Sequence, residues 1–284
     1  MPVAEESVEN SKMPLLDHLL ELRQRLLWSV LALLMVFLAA FFFAEQIFEF
    51  LARPLAEVMT TSGVDERMRR MIFTNLTEVF FTYVKVAFFA AIFISCPVFL
   101  TQIWMFIAPG LYKNEKSAIA PFLVATPILF LIGGSLVYYI IFPLAARFFI
   151  AFEVPGGDGV LPIELEPKVD EYLSLMMKLI FAFGICFQLP VIMTLLARVG
   201  LATSKGMAEK RKYAIISVFI VAAIFTPPDP ISQLSLAIPI ILLYELSIWM
   251  AKIVEKRRAE AQGEDEDQDA EDTGGTEVSK SDDS

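Results

Sequence analysis

Long apolar runs recur along this whole chain, and they restrict what it can fold into more than any other feature. A hydrocarbon core about 30 Å thick takes about 20 helical residues to cross, and within it each backbone amide must be satisfied by its own segment or a closed barrel. Six such runs read as helical spans, at 26–44, 83–107, 119–149, 172–197, 213–226 and 231–251. Hydrophobic residues make up 56% of the 284 and 25 are Phe, which excludes a soluble domain of this length. The expected fold class is therefore an all-α polytopic membrane protein with six transmembrane helices. Pro97, Pro127, Pro143 and Pro190 fall inside spans, where a missing N–H and a ring clash bend or break a helix.

The last two spans are short. The run at 213–226 gives only about 21 Å of helix. The next opens with polar Ser232, Gln233 and Ser235, and Pro227-Pro228-Asp229-Pro230 alone joins the two. Such a hairpin either thins the bilayer or keeps its outer end inside protein, with Asp229 and Gln233 in a concavity that faces partners.

Cations set the orientation. Lys12, Arg23, Arg25, Lys113, Lys116, Arg198, Lys205, Lys210, Arg211, Lys212, Lys252, Lys256, Arg257 and Arg258 share one side of a six-span layout, which the positive-inside rule makes cytoplasmic together with both termini. Arg53, Arg67, Arg69 and Arg70, in what reads as the first outer loop, oppose this. The net charge of −10 arises largely from the end of the chain, an acidic run with one lysine and no aromatic residue, which reads as a solvated, disordered extension. The resulting organisation is a cytoplasmic amino-terminal segment at 1–25, a six-span domain at 26–256 and an acidic tail at 257–284. Within the first segment, Leu15, Leu16, Leu19, Leu22 and Leu26 recur at helical spacing and predict an amphipathic interfacial helix over 13–25.

Catalysis finds little to work with. His18 is the only histidine, and the chain has no His-Glu-x-x-His, no Gly-x-Ser-x-Gly and no phosphate loop. Cys96 and Cys186 sit in apolar runs as packing residues. No cofactor, metal or nucleic-acid site is expected. Polar residues in or near spans say more, because such groups normally face protein or water. Lys178, Gln188, Asp229, Gln233 and Glu245 form this set. Lys178 fits a snorkelling lysine. Gln188 either satisfies a neighbouring helix or lines a hydrated concavity. Glu21 and Glu115 stand apart as carboxylates in basic segments beside spans. Glu21 can simply pair with Arg25 at i, i+4, and Glu115 can simply favour the start of a helix.

Four ordered motifs carry a resemblance. They are His18-Leu-Leu-Glu-Leu-Arg-Gln-Arg25, Phe106-Ile-Ala-Pro-Gly-Leu-Tyr-Lys-Asn-Glu115, Phe183-Gly-Ile-Cys-Phe-Gln-Leu-Pro190 and Thr226-Pro-Pro-Asp-Pro-Ile-Ser-Gln233. In this order, across 13–256, the chain resembles the TatC family of the twin-arginine protein translocase. The resemblance implies a non-enzymatic core receptor with a concave arrangement of helices. It would bind the Arg-Arg motif of signal peptides and export folded proteins across the bacterial cytoplasmic membrane by the proton motive force. Signal-peptide contacts fall on Glu21 and Glu115, with Leu22, Arg23, Phe106, Pro109, Leu111 and Tyr112 beside them. The implied partners are single-span TatA- and TatB-like subunits, further copies of the chain, and membrane lipid. Planar guanidinium groups pair with carboxylates in a way lysine cannot reproduce, which agrees with two glutamates as receptors. Gln188 departs from the glutamate of many relatives, so a protonatable carboxylate there is not essential to this chain. Six spans with Lys178 and Gln188 also suit a small-solute transporter, and a membrane enzyme is a weaker third reading.

Overall fold

The computed structural model describes residues 3–62, 70–111, 116–154, 156–157, 161–226 and 230–274, with no side-chain description at 3–19, 104, 106–111, 116–121, 199, 231 and 257–274. Its helices are α1 (Val3–Phe42), α2 (Ala44–Thr61), α3 (Glu78–Leu111), α4 (Lys116–Leu136), α5 (Phe142–Ile150), α6 (Val169–Cys186), α7 (Leu189–Val199), α8 (Ser204–Glu209), α9 (Arg211–Phe225) and α10 (Pro230–Gly274), with a π turn at Val137–Ile141. Among the described residues, five segments are long and apolar enough to cross a bilayer: Leu20–Phe42, Glu78–Ile103, Phe122–Ile150, Val169–Arg198 and Ser232–Lys256. These match five of the six expected spans. The other, α9, has 15 residues and falls short of that length.

Proline shapes two of the spans. Pro143 would drive its ring into the carbonyl of Tyr139, and the preceding residues widen into the π turn, where the Phe142 amide bonds back to Val137. Pro190 cannot donate to Cys186, and the helix breaks there into α6 and α7. The Gln188 amide turns instead to Ile185 at 2.9 Å.

Residues 13–25 are helical and run without a break into the first span within α1. The acidic extension is helical as far as Gly274, and its Ala, Glu and Gln residues have high helix propensity. One element was missed. The segment read from the sequence as the first outer loop contains α2, whose buried face is Ala44, Leu51, Pro54, Leu55, Val58 and Met59 and whose opposite face exposes Glu45, Glu49, Arg53 and Glu57.

The chain divides into two compact units, one of residues 1–188 with 221–236 and another of 189–220 with 237–284. In the first, α2 lies against α3, α5, the π turn and α6. Ala40 and Ala44 pack on Ala87 and Ala90, small residues that let α1 and α2 come close to α3. Pro54 has no N–H for the Phe50 carbonyl one turn back, and the Tyr138 hydroxyl donates to that oxygen at 2.7 Å. Tyr172 donates likewise to the Leu51 carbonyl at 2.7 Å. Helices α4 and α6 meet through glycine: a Cβ on Gly184 would lie 2.5 Å from the Phe130 ring, and one on Gly133 2.8 Å from the Phe183 carbonyl.

In the second unit, α7 ends in a Schellman motif. Gly200 takes a φ of 84°, its amide bonds to Ala197 at 3.0 Å and the Leu201 amide to Leu196 at 2.9 Å. Thr203 caps α8 by accepting from the Gly206 amide at 3.1 Å, and Glu255 of α10 accepts from the Ser204 amide at 2.6 Å.

Candidate functional site

Glu21 lies on α1 one turn before Arg25, and Arg25 reaches α3. The Arg25 guanidinium donates to Glu21 Oε1 from Nε at 3.0 Å and from Nη2 at 2.6 Å, and its Nη1 donates to Gln102 Oε1 of α3 at 3.2 Å. The local i, i+4 pair weighed from the sequence is thus present, and it is tied across to a second helix. The Glu21 side chain is 41% exposed, so water screens the pair and its own contribution to stability is small. Both Arg25 bonds fall on Oε1 of Glu21. Leu22 and Arg23 are exposed beside it.

Helix α3 continues nine residues past Gln102, about 14 Å, to Leu111. Phe106, Pro109 and Leu111 ride on those turns. Tyr112 and Glu115 lie outside the described residues, so Glu21 is brought to α3 without a described contact to Glu115. Gln102 was not singled out in the sequence. Its signal was a lone amide in an apolar run, one turn before Phe106.

The remaining candidates lie elsewhere. Gln188 is 6% exposed at the α6–α7 break, and its amide nitrogen donates to the Thr126 carbonyl of α4 at 3.0 Å. Its Oε1 and the Thr126 hydroxyl are buried with no partner. Lys178 is exposed on α6. Gln233 is half-buried on the first turns of α10, and Asp229 lies outside the described residues. On either side of that turn, Thr226 and Ser232 line a cavity of about 260 Å³ with Leu55, Tyr172 and Leu179. In the second unit Glu245 takes a side-on pair of bonds from Arg211, at 2.7 Å from Nε and 2.8 Å from Nη2. On the connection before α6, Glu166 bonds Arg70 at 2.9 Å and raises its pKa, first by that hydrogen bond and then by charge. Among the described residues no cluster of His, Cys, Asp or Glu could hold a metal ion.

Long apolar helices with ion pairs at their ends and one buried amide define a multi-pass helical membrane protein. Its candidate site offers carboxylate and amide acceptors for recognition. Comparison with known proteins makes this specific. The sequence profile of the family described as Sec-independent protein translocase protein (TatC) matches residues 17–239. The Sec-independent protein translocase protein TatC of Magnetococcus marinus is 50% identical over 257 residues, 90% of either chain, and that of Rickettsia prowazekii 42% over 242 residues, 85% of this chain and 94% of its own. A crystal structure of the twin arginine translocase receptor TatC, 37% identical, aligns with a TM-score of 0.70 over 84% of this chain and 99% of its own. The chain belongs to the TatC family. It is the receptor subunit of the twin-arginine translocase, which exports folded proteins, and is not an enzyme.

Proposed function

We propose that this chain recognises the Arg-Arg motif of signal peptides with Glu21 and Glu115, lined by Leu22, Arg23, Phe106, Pro109, Leu111 and Tyr112. The observation that carries this reading is the seat of Glu21: a half-exposed carboxylate oriented by Arg25, which Gln102 ties to the same helix that runs on to Phe106 and Leu111. A receptor carboxylate must be oriented yet reachable, and a guanidinium is the donor group that best matches a carboxylate. In this reading α9 is a short sixth crossing, which returns both termini to the cytoplasmic side of a bacterial inner membrane and gathers the cations there. The helices would form a concave surface for TatA- and TatB-like single-span subunits and for further copies of the chain, with Gln188, Asp229, Gln233 and Lys178 as polar contacts and the proton motive force as driver.

The test is binding of a synthetic Arg-Arg signal peptide, compared with its Lys-Lys counterpart, to the purified protein. Glu21→Ala should weaken Arg-Arg binding about tenfold, the effect of losing one charge-assisted contact at a half-exposed site. Equal affinity for the two peptides would sink the assignment.

A further inference from the structure

A second concavity of about 260 Å³ lies beside α2, and the receptor reading makes no use of it. Ile47, Phe50 and Leu51 of α2 roof it, Phe89, Phe93 and Ile94 of α3 form one wall, and Tyr138, Tyr139 and Ile180 complete it. Its floor is Gly134, where a Cβ would come within 2.9 Å of the Phe93 ring and 3.2 Å of Ile180, so any larger residue would close the groove from below. Ser135 lines it and is exposed. Phe50, Ile94 and Tyr139 at its rim are 48%, 58% and 69% exposed. The lining is therefore mostly apolar and aromatic, and outside α2 it belongs to segments long and apolar enough to cross a bilayer.

One end of this groove carries charge of a definite pattern. Arg53 lies one turn beyond Phe50 on α2, with Glu49 and Glu57 one turn to either side, and all three are exposed. Both Arg53 and Glu57 are near enough to the Tyr138 hydroxyl for their charges to act on it, which sets them at the α2 end of the groove. Among the described residues Arg53 makes no ion pair, although carboxylates flank it at i−4 and i+4. A cation between two anions complements a headgroup that itself carries an anion and a cation. A headgroup with negative charge alone meets one arginine and is repelled by Glu45, Glu49 and Glu57.

We propose that this groove holds one phospholipid with an amine-bearing zwitterionic headgroup, its acyl chain along Phe50, Phe93 and Tyr139, its phosphate on Arg53 and its ammonium group on a carboxylate one turn away, Glu49 or Glu57. This assigns a role to Arg53, which the distribution of cations along the chain leaves as an exception. It also gives the π turn a consequence, since the widened turn carries Tyr138 and Tyr139 into the groove wall. Arginine suits the phosphate because its planar donors match two oxygens at once.

The experiment uses the full-length protein in a mild detergent, titrated with phosphatidylethanolamine or phosphatidylglycerol of matched chains, with bound lipid counted by native mass spectrometry. One phosphatidylethanolamine should be retained, and phosphatidylglycerol should bind about tenfold more weakly. Arg53→Gln should lower phosphatidylethanolamine affinity roughly tenfold. Ser135→Phe should abolish retention by filling the groove, and Arg147→Gln, an exposed arginine outside the lining, should leave it unchanged. Equal binding of the two lipids, or wild-type retention by both Arg53→Gln and Ser135→Phe, would overturn the proposal. These outcomes are independent of signal-peptide binding, so failure here leaves the receptor reading standing.

Discussion

The bond between Tyr138 and the Phe50 carbonyl permits a clean test of how α2 is held. Pro54 removes the amide that would normally reach Phe50, and the tyrosine hydroxyl supplies the missing donor at 2.7 Å. Tyr138→Phe deletes only that hydroxyl. The ring remains stacked on Phe50 at a centroid distance of 4.5 Å and an interplanar angle of 7°, so packing changes little. What remains is a carbonyl without a donor in apolar surroundings, which costs about 1–3 kcal/mol. We take about 1.5 kcal/mol, because Tyr138 is 7% exposed and the rim of the groove admits some solvent. The diagnostic is a double-mutant cycle in unfolding experiments in detergent. Pro54→Ala restores the backbone donor, so Tyr138→Phe in that background should cost about 1 kcal/mol less than in the parent. Additive effects of the two substitutions would refute the claim that the hydroxyl replaces the lost amide.

Gly184→Ala should destabilise the protein by about 1–3 kcal/mol, because Phe130 must give way by about 1 Å while packed on Phe93, and Phe130→Leu should recover part of that loss in the same unfolding assay. Gly200→Ala should cost about 1–2 kcal/mol by forcing an L-residue into the left-handed region at the end of α7, readable as a lowered midpoint. Arg211→Lys should lose about 0.5–1 kcal/mol, since an ammonium cannot make two parallel bonds to Glu245 and the pair is half exposed, and exchanging the two residues with each other should restore most of it.

Composition and periodicity made the membrane class and five spans legible, because apolar runs of this length have one physical explanation. Helix α2 escaped for a related reason. Its apolar face is only one stripe wide and its charges lower the average over any window, yet Leu51, Leu55, Val58 and Met59 keep helical spacing. Pro54 also reads as a breaker, and nothing local reveals that a tyrosine more than eighty residues away completes the hydrogen bonding. In the acidic extension two signals compete: charge argues for disorder, while the Ala, Glu and Gln residues favour a helix. At the candidate site, Glu21 and its Arg25 partner were visible as an i, i+4 pair. Gln102 was not, because its role depends on how α1 and α3 meet.

Gln188 separates stability from function most sharply. Its nitrogen donates to the Thr126 carbonyl, but its Oε1 is buried without a partner, and each part has a known scale. The bond contributes about 1 kcal/mol net, while an orphaned buried acceptor costs about 1–3 kcal/mol. Thr126 lies within α4 and its carbonyl has helical neighbours to accept from, so removing the amide leaves little unsatisfied. Gln188→Met, close in volume and able to adapt to the break, should therefore be neutral or slightly stabilising. Gln188→Glu should be worse, because a carboxylate can donate to Thr126 only while it keeps its proton. The measurement is unfolding in detergent alongside export of a twin-arginine substrate in cells. Loss of export with stability retained in Gln188→Met would mean that the amide is kept for what it contacts during transport. A loss of more than about 1 kcal/mol in that variant would instead show that the fold depends on it, and the reasoning from the unpartnered oxygen would be wrong.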